Sequence, residues 1–290
     1  MKGACFHCSD LIGVIDVKYA DPGLQDCLRD PDRWFHDGRA KILKSMGNTR
    51  TVQFVCGGRK FLLKHYRFRG WMQALRSLLG GSRGAKAVRR SDLFLRAGIP
   101  TPRPVALLER RRFKIPRESY LCYEFLPEAE NLTERYRRAG ETLFLESKIL
   151  SAIGRDAARI HGAGLYHGDL KWSNILVTEE VRGIARLIDL DGAGKASFRK
   201  EERFARDVSR FLVDLMENMN TSLPGMADFL RAYLECRRFG ERRRNFFLHR
   251  IEEQVDEKLL VHVRTRGNRV RVAKGDITGI LDGRDGVNGV

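Results

Sequence analysis

Alternation between apolar and polar residues predicts five β-strands in the first 126 residues of the chain. Side chains of a strand point to opposite faces in turn, so a half-buried strand shows a period of two. The pair Gly57-Gly58 separates the second strand from the third and is typical of a hairpin, which predicts an antiparallel meander. We place Arg110–Arg112 in the turn between the last two strands. The predicted strands are residues 40–44, 51–55, 60–66, 105–108 and 120–125.

Helical periodicity occurs once among these strands and dominates the rest of the chain. A helix is predicted over residues 82–97, because Gly98 and Pro100 follow it directly. Further helices are predicted at 145–163 and near 247–259, where apolar residues recur at steps of three and four. The sequence therefore predicts an α+β chain: an antiparallel five-stranded sheet with one helix, followed by a mostly helical part.

The pattern breaks at Leu126-Pro127-Glu128, which we interpret as a hinge between two lobes. The polar, glycine-rich segment at the end of the chain predicts loose order. The predicted divisions are an N-terminal extension at 1–38, an N-lobe at 39–126, a C-lobe at 127–263 and a tail at 264–290.

Composition indicates a globular protein with a strongly basic surface. The 290 residues are 42% hydrophobic and 31% charged, and no apolar run approaches the ~18 residues of a spanning helix. We therefore expect a cytoplasmic protein. The 54 Lys and Arg against 37 Asp and Glu give a net charge of +17, which favours polyanionic partners such as nucleic acid, an anionic membrane face or a phosphorylated glycan.

Basic residues and cysteines are the remaining candidates for binding sites. The dense basic clusters, which we interpret as solvated faces, are Arg110–Arg112 and the set Arg237, Arg238, Arg242, Arg243 and Arg244. The six cysteines are expected as free thiols of a reducing compartment. Cys5 and Cys8 flank His7, yet no second pair follows at zinc-site spacing, so a metal role for them is not favoured.

Residues 167–174, His-Gly-Asp-Leu-Lys-Trp-Ser-Asn, are the most informative segment of the chain. They supply Asp169 to orient a hydroxyl, Lys171 to offset negative charge, and Asn174 to hold a metal just before the strand 175–177. This spacing is typical of a kinase catalytic loop. A second strand at 185–188 forms a hairpin with the first and brings Asn174 near the acidic residues that follow it.

The order of these parts resembles the protein-kinase-like superfamily, and more narrowly the bacterial lipopolysaccharide kinase (Kdo/WaaP) family, over about residues 40–260. The resemblance implies a bilobal protein-kinase-like fold. Besides the loop, the matching segments are Phe61–Tyr66, Ala97–Pro104, Ser119–Leu126 and Arg206–Phe211.

The resemblance also implies ATP and Mg²⁺ as cofactors and gives roles to seven residues. Asp169 and Lys171 would act on the acceptor hydroxyl and the transferring phosphoryl group. The strand residue Lys64 would bind the α- and β-phosphates of ATP. The remaining roles are adenine contact by Phe125 and Leu126 and Mg²⁺ binding by Asn174 and Asp189.

Two features of the sequence depart from the family pattern. Asp191 competes with Asp189 for the metal, since only the pattern Ile-Asp-Leu favours Asp189. The helix at 82–97 contains no glutamate to pair with Lys64, and Asp92 is its only acidic residue. The acidic partner of Lys64 is therefore left unassigned.

The function implied by the resemblance is transfer of the γ-phosphoryl group of ATP to a sugar hydroxyl of the lipopolysaccharide core, Kdo or heptose. The partner would be an anionic glycolipid or sugar, and the charge of +17 allows peripheral contact with an anionic inner membrane. Nucleic acid is not the favoured partner, and the sequence does not fix the oligomeric state. The alternatives are an atypical, Rio-like protein kinase and a pseudokinase that binds nucleotide or nucleic acid.

Overall fold

The computed structural model describes residues 3–68, 80–112, 115–180, 183–197, 200–219 and 223–266. Two compact units are present. The first comprises the described residues up to Arg96 together with Thr101–Pro127, and the second comprises Ala97–Pro100 and the described residues from Glu128 onward. The domain limits inferred from the sequence stay a prediction, and each unit is described by itself.

A seven-stranded antiparallel sheet forms the first unit, in the order β1-β2-β6-β7-β5-β4-β3. Our prediction of five strands is wrong because a hairpin from the N-terminal segment pairs with β6. Gly13 of this hairpin lies so close to β6 that a Cβ atom would meet the carbonyl oxygen of Leu107 at 2.1 Å. The strands are β1 Gly3–Cys8, β2 Leu11–Asp16, β3 Lys41–Met46, β4 Thr49–Cys56, β5 Arg59–Arg67, β6 Pro104–Arg112 and β7 Ile115–Glu124.

The arginines predicted in the turn after residue 108 lie instead within β6. Arg110 is held there because its guanidinium bridges three acids, with Nε at 2.6 Å from Asp10 Oδ2 and Nη1 at 3.0 Å from Asp32 Oδ2 and 2.7 Å from Glu118 Oε2. Arg111 pairs with Glu109. These ion pairs extend the strand beyond its apolar part.

Helices cover both faces of the sheet. On one face, the segment around α1, Pro22–Arg29, packs into the core, and the ring of Trp34 stacks on that of Phe54 at 4.6 Å. On the other face, α2, Arg83–Arg96, packs Ala87 and Val88 near Tyr66. Residues 17–38 are thus part of the packing that buries the sheet.

Cys27 of α1 and Cys56 of β4 are joined by a disulfide, so our prediction of six free thiols is wrong for this pair. The two Cα atoms lie 6.7 Å apart although 29 residues separate them in sequence. Their proximity results from packing of α1 on β4, which spacing along the chain does not reveal. Among the described residues, Cys5, Cys8, Cys122 and Cys236 are free.

The second unit is mostly helical, as predicted, with short strands beside the loop at 167–174. Among the described helices, none is both long enough and apolar enough to cross a membrane. The helices are α3 Leu132–Ala139, α4 Glu141–Glu146, α5 Ile149–Gly162, α6 Lys200–Met219, α7 Leu223–Arg237 and α8 Glu241–Arg266. The strands are β8 Glu130–Asn131, β9 Leu165–Tyr166, β10 Ile175–Val177, β11 Arg186–Leu187 and β12 Gly194–Lys195.

Close packing of α5 on α7 fixes the helix that leads to the loop. A Cβ atom at Gly154 would meet the carbonyl oxygen of Phe229 at 2.4 Å, so only glycine allows this approach. The predicted helix at 145–163 is divided into α4 and α5, because Lys148 adopts a left-handed conformation with φ 56°. The predicted helix near 247–259 lies within α8. The part of the predicted tail that follows Arg266 is outside the described residues.

Candidate active site

The carboxylate of Asp169 is the centre of the loop between β9 and β10. Oδ1 accepts a hydrogen bond from Arg210 Nε at 3.0 Å, and Lys171 Nζ lies 3.1 Å from Oδ2. Asn174 donates through Nδ2 to the Asp169 carbonyl oxygen at 2.9 Å and to Oδ2 at 3.2 Å. Both carboxylate oxygens are therefore held, while the Asp169 side chain stays 37% exposed. The predicted residues Asp169, Lys171 and Asn174 are brought together.

Electrostatics favours the ionised form of Asp169. Burial alone would raise the pKa of this carboxyl, but the hydrogen bond and charge of Lys171 and the charge of Arg210 outweigh burial and lower the pKa. At neutral pH the group is an anion with one partly open side. Such a carboxylate accepts a hydrogen bond from a hydroxyl and orients it, and it is a weak base.

Asp207 of α6 anchors the start of the loop. Its buried carboxylate accepts the backbone N–H groups of His167 at 2.6 Å and Gly168 at 2.7 Å. Gly168 has a φ of 82°, and a Cβ atom there would lie 2.5 Å from the carbonyl oxygen of Gly192. The loop conformation therefore requires glycine at 168 and a buried anion beneath it.

The end of the loop is fixed by a second acid of α6 and by an aromatic cluster. Asp214 accepts the backbone N–H of Trp172 at 2.8 Å. The fully buried Trp172 ring lies 5.4 Å from that of Phe144 and 5.9 Å from that of Phe211. Packing of these large rings fixes the backbone that carries Lys171 and Asn174.

Asn174 lies at the start of β10, directly beside the strand end that carries the acidic pair. The N–H of Ile188 donates to the Asn174 carbonyl oxygen at 3.0 Å. Asp189 follows with φ 61° and ψ 53°, and Asp191 lies in the single helical turn after it. Because Asn174 Nδ2 faces Asp169, its Oδ1 is the atom suited to a metal. Amide and carboxylate oxygens are the ligands that Mg²⁺ prefers, so these residues fit the predicted ion.

Three residues that are predicted to bind the nucleotide belong to the first unit. Lys64 lies on β5 with its Nζ 5.1 Å from the centre of the Tyr66 ring, which confirms that the two side chains share a face. Arg83 lies over the same ring at 4.8 Å. Phe125 donates its N–H to the Lys60 carbonyl oxygen at 3.0 Å, so its carbonyl oxygen and the N–H of Leu126 are the backbone groups suited to adenine.

Three residues of α6 that hold the loop were not predicted from the sequence. Asp207, Arg210 and Asp214 recur at steps of three and four, so they lie on one side of the helix. This charged row interrupts an otherwise buried helix, since Phe204 and Phe211 are fully buried beside it. This pattern could have identified them, because charged residues at helical spacing on a buried face form hydrogen bonds or ion pairs with neighbouring groups.

Comparisons with known proteins agree on one family. The profile of the lipopolysaccharide kinase (Kdo/WaaP) family matches residues 33–233. A 3-deoxy-D-manno-octulosonic acid kinase of Photobacterium profundum is 28% identical over 175 residues, which are 55% of this chain and 68% of that protein. The enzyme of the same name from Vibrio parahaemolyticus is 28% identical over 166 residues, 54% of this chain and 61% of the relative. The chain thus matches less than two thirds of the Vibrio protein.

Solved structures show the same fold at low sequence identity. A structure of WaaP in complex with acyl carrier protein has a TM-score of 0.54 at 22% identity and covers 79% of this chain and 92% of its own. A glucosamine kinase (crystal form B) has a TM-score of 0.51 at 16% identity and covers 97% of this chain and 93% of its own. The predicted kinase-like fold is confirmed.

Proposed function

This chain belongs to the lipopolysaccharide kinase (Kdo/WaaP) family, and from that membership we propose that it transfers the γ-phosphoryl group of ATP to a sugar hydroxyl of the lipopolysaccharide core. The family resemblance inferred from the sequence is confirmed, and the chain is a kinase, a phosphotransferase with an alcohol group as acceptor. The observation that carries the proposal is the Asp169 carboxylate, ionised, held on both oxygens and partly open to solvent.

Asp169 orients the acceptor in the proposed reaction. Its carboxylate accepts a hydrogen bond from the sugar hydroxyl and so directs the oxygen at the γ-phosphorus. The new phosphorus–oxygen bond forms as the bond to the leaving ADP oxygen breaks, and the hydroxyl proton passes to Asp169 late in the transfer. A carboxylate with a lowered pKa suits this order, because it orients the hydroxyl without removing its proton early.

Lys171 offsets negative charge on the phosphoryl group during transfer. Its ammonium lies 3.1 Å from Asp169 Oδ2, so a phosphoryl group beside that oxygen is within reach. Phosphoryl transfer depends mainly on positioning two anionic reactants and on stabilising charge over the equatorial oxygens. Lys171 then acts on the transferring phosphoryl group, and Asp169 acts on the acceptor hydroxyl.

We assign ATP binding to the residues that the family resemblance implies. Lys64 binds the α- and β-phosphates, and the backbone at Phe125 and Leu126 contacts adenine. Asn174 and Asp189 would hold Mg²⁺, which would supply positive charge to offset that of the phosphates. The donor set supports this assignment, since an amide oxygen and a carboxylate lie on adjacent strand ends.

The proposed acceptor is an anionic core sugar, and Kdo is the one to test first. Two relatives carry the name 3-deoxy-D-manno-octulosonic acid kinase, which supports Kdo over heptose. The net charge of +17 supports an anionic acceptor and peripheral contact with the inner membrane from the cytoplasm.

A transfer assay with a matched control tests this function. Purified protein is incubated with γ-labelled ATP, Mg²⁺ and acceptors that end in Kdo or in heptose, and mass spectrometry locates the phosphate. We expect label on a Kdo hydroxyl, and a loss of about 10³-fold or more in Asp169→Asn. Asp256→Asn, an exposed aspartate of α8, should keep full activity. Label found only in protein would favour the protein-kinase alternative and refute the proposal.

A further inference from the structure

A row of three cations runs from the Asp169 carboxylate to the last described helix. Arg210 donates to Asp169 Oδ1 at 3.0 Å. Arg206 lies one turn earlier on α6, and Lys258 of α8 donates from Nζ to the Arg206 carbonyl oxygen at 3.3 Å. All three belong to the second unit. The row is contiguous in space although its members come from distant parts of the sequence.

The row carries more positive charge than its neighbours neutralise. Within the part of the chain that the structure describes, neither Arg206 nor Lys258 forms an ion pair, whereas nearby Arg250 pairs with Glu202 at 3.6 Å. Asp207, a buried acid next to Arg206 in the sequence, already accepts two backbone N–H groups of the loop. Arg206 is exposed, whereas Lys258 is half-buried, and an uncompensated cation that is partly removed from water, as Lys258 is, gains most from an anionic ligand.

The pKa of Lys258 reflects this excess of positive charge. Burial lowers its pKa to about 8, and the charges of Arg210 and Arg206 add to that effect, while Asp207 and Glu257 oppose it. The ammonium therefore lies in a positive field. An anion placed among the three side chains would relieve it.

We propose that Arg206, Arg210 and Lys258 form a subsite for an anionic group of the acceptor, a carboxylate or a phosphate. The subsite rests on the function proposed above, because it lies beside the carboxylate that orients the hydroxyl. Arg210 and Lys171 bind different oxygens of Asp169, so the row begins away from the side assigned to the transferring phosphoryl group.

The spacing of the row fits a single sugar. Side chains one turn apart on a helix have their Cβ atoms about 5–6 Å from one another. Arg206 therefore lies about one helical turn from Arg210, which itself contacts Asp169, so an anion held by Arg206 and a hydroxyl at Asp169 would be separated by a distance on the scale of one substituted sugar. The same ligand can place a hydroxyl at Asp169 and an acidic group on the row.

Binding of matched acidic and neutral ligands tests the subsite without turnover. Calorimetry compares a Kdo glycoside with its methyl ester, and a phosphorylated heptose with the dephosphorylated sugar. These two pairs distinguish a carboxylate from a phosphate. Wild-type protein should prefer the acidic member of one pair by about 10-fold or more, since a hydrogen bond to a charged group contributes that much.

The variants Arg206→Gln and Lys258→Gln should reduce this preference to within about twofold while the neutral ligand binds unchanged. Lys258→Arg should retain it because the charge is kept. Arg242→Gln, an exposed arginine of α8, is the matched control and should bind like wild type. Circular dichroism identifies any variant that fails to fold. If one of Arg206→Gln and Lys258→Gln does not fold, the other one tests the subsite.

The outcomes separate the two proposals. Sugar phosphorylation with an acid-to-neutral preference that is the same in all variants overturns the subsite and leaves the function standing. Loss of preference in the variants without any transfer by wild type supports the subsite and refutes the function. Absence of preference in wild type for either pair also overturns the subsite.

Discussion

Replacing Arg210 with methionine should shift the pH dependence of catalysis, because this residue helps to keep Asp169 ionised. The change removes a charge and a hydrogen bond at 3.0 Å from Oδ1, while Lys171 and Asn174 remain on the other side. Asp169 is partly exposed, so solvent screens the pair and its contribution is about 1 kcal/mol. Loss of Arg210 raises the pKa of Asp169, and the ionised carboxylate is the active form.

The acid limb of kcat/KM against pH should therefore move to higher pH in Arg210→Met. About 1 kcal/mol corresponds to about a fivefold loss of rate on that limb, with a smaller loss at alkaline pH. The assay measures kcat/KM for the sugar acceptor from pH 3 to 9 at saturating ATP, because a carboxyl with a lowered pKa places the acid limb at low pH. Arg210→Lys should restore part of the wild-type profile because it restores the charge.

Arg159→Met is the matched control for this experiment. Arg159 also donates to an aspartate, Asp156 Oδ1, at 3.1 Å, but the pair lies on α5, outside the loop at 167–174, and the Arg159 side chain is 75% exposed. Its removal should leave the pH profile unchanged. A uniform fall in kcat/KM at every pH in Arg210→Met, without a shift of the acid limb, would refute the effect on the pKa of Asp169 and leave Arg210 a role in binding the acceptor.

Three other predictions concern the loop, the metal and the cation row. Asp207→Ala should lower the free energy of unfolding by about 2–4 kcal/mol in chemical denaturation, because two buried N–H groups lose their acceptor; an unchanged stability would contradict the anchor. Asp189→Ala should abolish Mg²⁺-dependent turnover and Asp191→Ala should not, so full activity of Asp189→Ala would overturn the metal assignment. Affinity for the acidic sugar should fall as pH rises through about 8, since Lys258 then loses its charge, and Lys258→Arg should remove that fall.

The catalytic loop was predictable because its chemistry is local in sequence. Asp169, Lys171 and Asn174 lie within six residues, and the strands on either side showed clear apolar runs. Hydrogen bonds between Asn174 and Asp169 span only five positions. A short segment with fixed spacing therefore determined the residue types and most of their geometry.

The N-terminal hairpin was missed because its pattern is weak. β2 buries only Leu11 and Ile15 of its six residues, and β1 buries only Phe6. Pairing of β2 with β6 joins residues about 95 positions apart, as in Gly13 with Leu108. A period-two pattern reports which face of a strand is buried, but it does not report the partner strand. The disulfide between Cys27 and Cys56 was missed for the same reason.

Charge density along the sequence proved to be a poor guide to charge that is available for binding. Arg110 belongs to a dense cluster, yet three acids neutralise it. In the other cluster, Arg237 and Arg243 lie over the ring of Phe239 at 5.0 and 4.8 Å. The proposed anion subsite instead combines α6 with Lys258, more than 40 residues later. Net attraction for a ligand depends on which cations lack an acid in three dimensions, and packing of α8 on α6 decides that.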